Sequence, residues 1–279
     1  MLAPDTVPFR RLVLDLCTVV GDGAALRAAA ELAHLLRIDL RGLFIEDPAL
    51  SRIAGLPGVR ELRLPLRGWQ ALDAARIGDE VLQMTARAER LLAEISASTG
   101  VTSGFETLRG KATEIIAGSD LTDILVLAIP RRPGLHPGDG FAARCAAAER
   151  AGLSVLLVPA TQPPRHGPVV VSGEVGLAIA ARIAERAGED LVILLADPAR
   201  RRGIAERLLQ SSLAARHVKF LPVTHAGSSA LTRLLAGVRP RLCVLARDST
   251  RAPDLLALSR IAASCEIPVL AMPRAEQAG

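Results

Sequence analysis

The sequence is poor in aromatic residues: its 279 residues include no Tyr, one Trp and five Phe. Proteins that bind single-stranded nucleic acid stack the bases on aromatic rings, so this scarcity argues against such a partner. The net charge of +5 arises from 34 Lys and Arg against 29 Asp and Glu, and the basic residues are spread along the chain rather than gathered into one stripe. We therefore expect no nucleic-acid partner.

Cysteines and long apolar runs are also scarce. Four Cys without C-x-x-C spacing predict neither a disulfide framework nor a zinc site. Five His show neither H-x-x-x-H nor H-E-x-x-H spacing, so no metal site is expected. No apolar run approaches the ~18–20 residues that span a bilayer. We expect a cytoplasmic protein without a membrane partner.

The sequence lacks the usual catalytic patterns. No Ser lies in G-x-S-x-G, and no Cys is accompanied by a nearby His and acid in an interpretable way. Four of the acidic residues in and around the segment at 50–79 form no convincing acid–base pair: Glu46, Asp47, Glu61 and Asp73. We therefore expect no enzyme activity and no catalytic residues.

The chain contains an internal repeat, which predicts its fold. Four segments recur in the same order: 25–33 with 176–184, 43–49 with 193–199, 115–128 with 234–246, and 155–159 with 269–273. Each half alternates short apolar runs, typical of strands covered on both faces, with helical patterns. The sequence predicts an α/β protein of two doubly wound, five-stranded parallel sheets in tandem. The first domain spans 1–160 and the second, shorter domain spans 168–279, with a Pro-rich linker between them.

One insertion distinguishes the halves. The first half carries an extra segment at about 50–79, which contains the only Trp, Trp69, and alternating Leu62, Leu64 and Leu66. Long connections of this kind serve as lids, as partner surfaces, or as covers over an exposed core edge. All three interpretations stay open.

The repeated pattern resembles the universal stress protein family, as a tandem two-domain member. The resemblance is carried by the A-L-x-x-A-x-x-L-A helix at 25–33, the strand Asp123-Ile124-Leu125-Val126 and the terminal strand Pro268-Val269-Leu270. It implies strand order 3-2-1-4-5 in each half. It also implies that the fifth strands, Val155–Pro159 and Val269–Met272, pair within the chain as an intramolecular pseudo-dimer, which closes two exposed sheet edges.

The ATP-binding motif of the family is degenerate here. ATP-binding members carry G-x-x-G, nine residues, then G-[ST] after the fourth strand, because glycine lets backbone N–H groups approach phosphate. The corresponding positions hold Ala128, Arg131, Phe141 and Ala142, and we expect the Phe141 ring to fill the phosphate space. The second half has Ala246 and Ser249 at the first two positions, with a shorter connection. No cofactor is therefore expected.

A crevice at the carboxyl ends of the first-half strands is the alternative ligand site. Its candidate residues are Cys17, Ala128, Arg131 and Arg132, which would hold an anion or a nucleotide such as ATP or AMP. The two arginines also fit a solvated loop between Pro130 and Pro133. Cys17 aligns with an acidic residue that contacts nucleotide in the family, and it fits either a redox-sensitive thiol or a small buried filler.

The sequence thus favours a non-catalytic, stress-related or regulatory binding protein that has lost the ATP motif of the family. The alternative is a nucleotide- or anion-binding sensor that uses the first-half crevice. The expected partner is an unidentified protein or a second copy of this chain, including a homodimer of tandem chains.

Overall fold

The computed structural model describes residues 9–18, 23–54, 56–63, 68–130, 140–161, 166–172, 174–208, 217–223, 228–247 and 254–273. The strands are β1 (Arg11–Asp15), β2 (Asp39–Glu46), β3 (Arg60–Arg63), β4 (Gly68–Ala71), β5 (Ser103–Arg109), β6 (Asp123–Ala128), β7 (Ser154–Val158), β8 (Val169–Ser172), β9 (Leu191–Leu195), β10 (Val218–Pro222), β11 (Leu242–Arg247) and β12 (Val269–Pro273). The helices are α1 (Ala24–Leu36), α2 (Pro48–Ala54), α3 (Ala74–Thr99), α4 (Ala112–Ala117), α5 (Phe141–Arg150), α6 (Leu177–Ala187), α7 (Arg201–Leu208), α8 (Ser228–Val238) and α9 (Leu255–Cys265).

Ten of these strands form one continuous sheet in the order β10-β9-β8-β11-β12-β7-β6-β1-β2-β5. Within each half the order is 3-2-1-4-5 and neighbouring strands are parallel. The predicted α/β class and strand order are confirmed. Whereas the sequence suggested two sheets, the structure joins both sets of five strands into one.

The join between the halves is an antiparallel pair of fifth strands. β7 pairs with β12, with Leu156 opposite Leu270 and Val155 opposite Ala271. The pairing expected within the chain is confirmed, and neither fifth strand is left as an open sheet edge. Because these strands are buried on both sides, they are continuous apolar runs rather than alternating ones.

Helices cover both faces of the sheet and create two apolar layers. On one face Leu12, Leu14 and Val126 point toward a cluster that includes residues of α1, α3 and α6. On the other face Leu125 and Leu127 belong to a cluster that includes residues of α4, α5, α8 and α9. The alternation of neighbouring residues between two buried layers explains why the strands could be found by hydrophobicity but not by period-two patterning.

Polar contacts also connect the two halves. Arg186 of α6 donates a hydrogen bond of 2.8 Å from Nη1 to the carbonyl of Leu35 at the end of α1. The buried Arg241 side chain forms an ion pair with Glu31 of α1. Both contacts join a residue of the first half to a residue of the second. They therefore add side-chain contacts to the strand pairing of β7 with β12.

The insertion in the first half forms α2 and a separate two-stranded hairpin of β3 and β4 before the long helix α3. Asp73 caps α3 by accepting a hydrogen bond of 3.0 Å from the N–H of Ala75. The carboxyl-terminal half of α3 buries Ala88, Leu92 and Ile95 in the core. Only the beginning of this helix therefore belongs to the insertion. Of the described helices, none is long and apolar enough to cross a membrane.

Candidate ligand crevice

The crevice lies where the strand order of the first half reverses. β1 has β2 on one side and β6 on the other, and all three strands run parallel. In open α/β sheets, the helices after two such neighbouring strands cover opposite faces, which leaves a crevice beyond the carboxyl ends. Asp15 ends β1 and Ala128 ends β6, so both lie at this edge.

Asp15 is buried at the end of an otherwise apolar strand, where its charge needs compensation. Its side chain is 7% exposed and forms an ion pair with Arg144, whose side chain is 12% exposed. Its other carboxylate oxygen accepts a hydrogen bond of 2.9 Å from the backbone N–H of Cys17. A buried carboxylate is stable only when paired and hydrogen-bonded, and Asp15 meets both conditions.

Arg144 reaches Asp15 from the first turn of α5. A positive charge there is unfavourable because the helix dipole is positive at the amino end. The ion pair with Asp15 offsets this cost and connects α5 to the end of β1 across the crevice. Sequence reasoning missed Arg144, although a carboxylate inside a buried strand was a signal that a basic partner must lie nearby.

Cys17 lies at the same edge in the short turn Leu16–Thr18 that follows β1. Its Sγ lies 3.3 Å from both the N–H and the carbonyl oxygen of Ile45 in β2, so it accepts one hydrogen bond and donates the other. Loss of water around the sulfur and the neighbouring Asp15 carboxylate raise the pKa of the thiol to about 12. A protonated thiol is a poor nucleophile, which disfavours a redox-sensitive role at neutral pH. The residue as a whole is exposed, so it is not a buried filler, whereas its sulfur lies against the backbone of Ile45.

Of the remaining residues predicted from the sequence, the structure describes Ala128 and Phe141 but not the two arginines. Ala128 is half-buried and packs against the core. Arg131 and Arg132 lie outside the described residues. Phe141 begins α5 and packs against the apolar cluster that contains Leu125 and Leu127. That its ring fills the phosphate space stays a prediction; the α5 side chain that reaches across the crevice to Asp15 is that of Arg144.

The corresponding helix of the second half has carboxylates at its amino end. Asp254 accepts a hydrogen bond of 2.6 Å from the N–H of Ala257. Glu149 of α5 accepts another of 2.6 Å from the N–H of Leu255, the first residue of α9. In nucleotide-binding folds, amides at such a helix end contact phosphate, whereas two of these amides already donate to carboxylates here.

Outside the crevice, the described part of the chain has a cavity but no cluster of metal-binding side chains. Among those residues, no group of three or more His, Cys, Asp and Glu side chains is arranged to hold a metal ion. A cavity of about 470 Å³ lies at the amino-terminal ends of β2 and β5, lined by residues that include His34, Arg37, Asp39, Thr102 and Arg186. It borders neither Cys17 nor Ala128, so it is separate from the crevice.

Comparisons with known proteins support the fold. The structure is similar to a universal stress protein from Archaeoglobus fulgidus DSM 4304, with a TM-score of 0.61 and 12% sequence identity over 94% of this chain and 96% of that chain. It is also similar to a functionally unknown protein from Pseudomonas aeruginosa PAO1, with a TM-score of 0.55 and 16% identity over 95% of this chain and 92% of that chain. No family model and no curated protein matches the sequence. The expected resemblance to universal stress proteins is confirmed in the fold.

Proposed function

We propose that this chain is a non-catalytic, stress-related binding protein whose first-half crevice does not hold ATP. The observation that supports this proposal is the ion pair between Asp15 and Arg144, which connects β1 to α5 at the edge where a nucleotide would lie. The fold shared with a universal stress protein supports the stress-related part.

The charges at this edge are unfavourable for a triphosphate. Arg144, the basic side chain placed at this edge, is already paired with the Asp15 carboxylate at the end of β1 and so is not free to hold a phosphate. To recruit Arg144, a phosphate group must compete with a buried carboxylate that would lose its charge compensation. The absence of glycine at positions 128, 131 and 141 also removes the positions at which bare backbone approaches phosphate, and position 142 lacks the Ser or Thr of the motif.

In the second half, the amino end of α9 is also unfavourable for an anion. The carboxylates of Glu149 and Asp254 accept hydrogen bonds from the first-turn amides of α9. A phosphate group in this position would have to displace both carboxylates while carrying the same sign of charge. This arrangement supports the same conclusion for both halves.

Two measurements test the proposal. Purified protein should release no nucleotide on denaturation, which absorbance at 260 nm detects. Isothermal titration with ATP and with AMP should show no binding tighter than about 100 μM, the weak end of specific small-ligand affinity. Nucleotide in the purified protein, or a tighter affinity, would contradict the proposal and favour the sensor. A double Arg131→Ala and Arg132→Ala variant then determines whether those two arginines hold the anion.

The partner proposed for this binding protein is another polypeptide, including a second copy of the chain. The net charge of +5 gives no preference for nucleic acid because the basic residues are dispersed. Native mass spectrometry of the purified chain tests self-association directly. A single species at the mass of one chain across a wide concentration range would exclude the homodimer and leave the other polypeptide.

A further inference from the structure

The cavity at the amino-terminal ends of β2 and β5 has the size of a small-molecule site. Its volume of about 470 Å³ falls within the roughly 300–1,000 Å³ of ligand pockets. It is lined from the first half by residues around the ends of α1 and α3, and from the second half by Arg186 of α6. Nucleotides bind open α/β sheets at the carboxyl ends of the strands, so the ligand of this cavity has to be inferred from the cavity's own residues.

Charged side chains of both signs line the cavity. Its basic residues are His34, Arg37 and Arg186, and its acidic residue is Asp39. A simple anion would place like charges side by side at Asp39, and a simple cation would do the same at the two arginines. The ligand that matches this lining therefore carries anionic and cationic groups together, with the anionic groups in excess.

The arginines are placed to hold carboxylates. Arg186 Nη1 donates a hydrogen bond of 2.8 Å to the carbonyl of Leu35, which positions the guanidinium at the cavity wall without removing its charge. Arg37 directly follows α1 and lines the same cavity. Because a guanidinium binds a carboxylate through two parallel hydrogen bonds, two arginines fit a ligand with two carboxylates.

The negative side of the cavity is formed by Asp39 and by helix ends. Asp39 is the first residue of β2. Leu35 at the end of α1 and Gly100 directly after α3 also line the cavity, so two helices end here. The carboxyl end of a helix carries a partial negative charge, which adds to that of the aspartate. An ammonium group is the complementary part of a ligand at this side.

The internal repeat identifies the corresponding place in the second half. The hydrogen bond that Ile38 donates back to the last turn of α1 recurs at the end of α6, where Glu189 is the donor. Asp39 and Asp190, the residues that follow these donors, therefore occupy equivalent positions. Each of them directly precedes a leucine that pairs with the edge strand of its half.

The two equivalent aspartates have different neighbours on the edge strands. Asp190 pairs with His217 at 3.0 Å and with Lys219 at 2.5 Å. In the register of β2 with β5, the positions equivalent to those two residues hold Thr102 and Gly104. Neither of these side chains can neutralise a carboxylate. The second half thus supplies its own cations to the aspartate, whereas the first half has a cavity beside it.

We propose that this cavity binds an acidic amino acid, with its two carboxylates on Arg37 and Arg186 and its ammonium group on Asp39. The ligand carries two negative groups and one positive group, the reverse of the two arginines and one aspartate. This site is separate from the crevice and from the polypeptide partner, so its failure would leave the proposed function unaffected.

Isothermal titration of the purified chain with L-glutamate at constant ionic strength tests the site. L-Glutamate should bind with a Kd below about 1 mM. Glutarate has the same two carboxylates without the ammonium group, and L-glutamine has an amide in place of the second carboxylate. Each should bind at least about tenfold more weakly, because each loses one charge-assisted hydrogen-bonded contact.

Arg37→Gly separates binding from folding. Arg37 has a left-handed backbone with φ +55°, and the equivalent residue after α6 is Gly188 with φ +68°. Glycine adopts this conformation without strain, so the variant should keep or raise the Tm while binding L-glutamate at least about tenfold more weakly. The matched control is Arg239→Gly, the same change at φ +50° directly after α8, at a residue that does not line the cavity. It should bind as the unaltered protein does.

Asp39→Asn tests the contact with the ammonium group. This variant should bind L-glutamate more weakly and should no longer distinguish it from glutarate. Asp190→Asn, the same change at the equivalent position of the second half, should keep the full difference between the two ligands.

Four results would overturn the proposal. The first is the lack of any L-glutamate binding tighter than about 1 mM. The second is equal affinity for L-glutamate and glutarate, which would show that Asp39 holds no ammonium group. The third is equal affinity for L-glutamate and L-glutamine, which would exclude the second carboxylate. The fourth is equal binding by the Arg37→Gly and Arg239→Gly variants, which would place any bound glutamate outside this cavity.

Discussion

Glu149, in the last turn of α5, accepts a hydrogen bond of 2.6 Å at Oε1 from the backbone N–H of Leu255, the first residue of α9. The first residues of a helix have N–H groups without a partner inside the helix, and a carboxylate satisfies one of them while interacting favourably with the helix dipole. A residue of the first half thus caps a helix of the second half, so the two halves should unfold together rather than separately.

Replacing Glu149 tests this cap. Glu149→Ala should lower the free energy of unfolding by about 1–2 kcal/mol, the usual effect of losing a helix cap. Glu149→Gln should lower it less, because the amide oxygen still accepts a hydrogen bond but lacks the negative charge. Urea denaturation followed by circular dichroism measures both. Glu94→Ala, at an exposed position of α3, is the control and should stay close to the unaltered protein. Equal stabilities for Glu149→Ala and Glu94→Ala would exclude the capping role.

The ion pair of Asp15 and Arg144 should contribute to stability through coupling between the two residues. Arg144→Met should destabilise the protein by about 3 kcal/mol, because it leaves the buried Asp15 carboxylate without its charge compensation. The double variant Asp15→Asn with Arg144→Met should recover part of that loss. A double-mutant cycle from denaturant unfolding should give a coupling energy of at least about 1 kcal/mol. Additive effects of the two changes would show that the pair contributes no specific interaction.

Two glycines at the ends of α6 provide a matched comparison. Both have positive φ, +83° at Gly176 and +68° at Gly188. A Cβ at Gly176 would lie 2.6 Å from Cγ1 of the buried Val244 and 2.9 Å from Sδ of Met272, whereas a Cβ at Gly188 would meet nothing within 4 Å. Gly188→Ala should cost about 1 kcal/mol from backbone strain alone.

Gly176→Ala should cost more, about 3 kcal/mol, since overpacking of the core adds to the same backbone strain. Thermal unfolding of both variants measures the difference. A cost at Gly176 no larger than that at Gly188 would mean that Val244 and Met272 move aside without loss of packing.

Much of the fold could be predicted from the sequence because the strands are short apolar runs in a repeated order. The pairing of β7 with β12 followed from the family resemblance, and the register confirms it at Leu156 and Leu270. The hairpin was not predicted: of the alternating Leu62, Leu64 and Leu66, only Leu62 lies in its first strand, β3, which contains four residues. Its second strand, β4, contains only four residues.

The crevice could be located but not described from the sequence. Cys17 and Ala128 were placed at the carboxyl edge because strand ends can be counted along the chain. Arg144 was missed because the contact with Asp15 joins residues 129 positions apart, which no local pattern reveals. The direction of the Phe141 side chain was also beyond local reasoning, because it depends on how α5 rotates to bury Cys145 and Ala148 against the sheet.

The rate of alkylation of Cys17 should keep rising at a pH where the rate for a free thiol has already levelled. Its pKa is raised from 9.0 to about 12 by loss of water and by the Asp15 carboxylate, so the thiol stays protonated through the neutral range. Only the thiolate attacks iodoacetamide. The rate in the native protein should therefore rise about tenfold per pH unit from pH 8 to 10, without levelling. In urea-denatured protein the rate at the same residue should level near its ordinary pKa. Mass spectrometry of the Cys17 peptide measures both rates. A native rate that levels near pH 9 would show that neither Asp15 nor the surrounding protein affects the thiol.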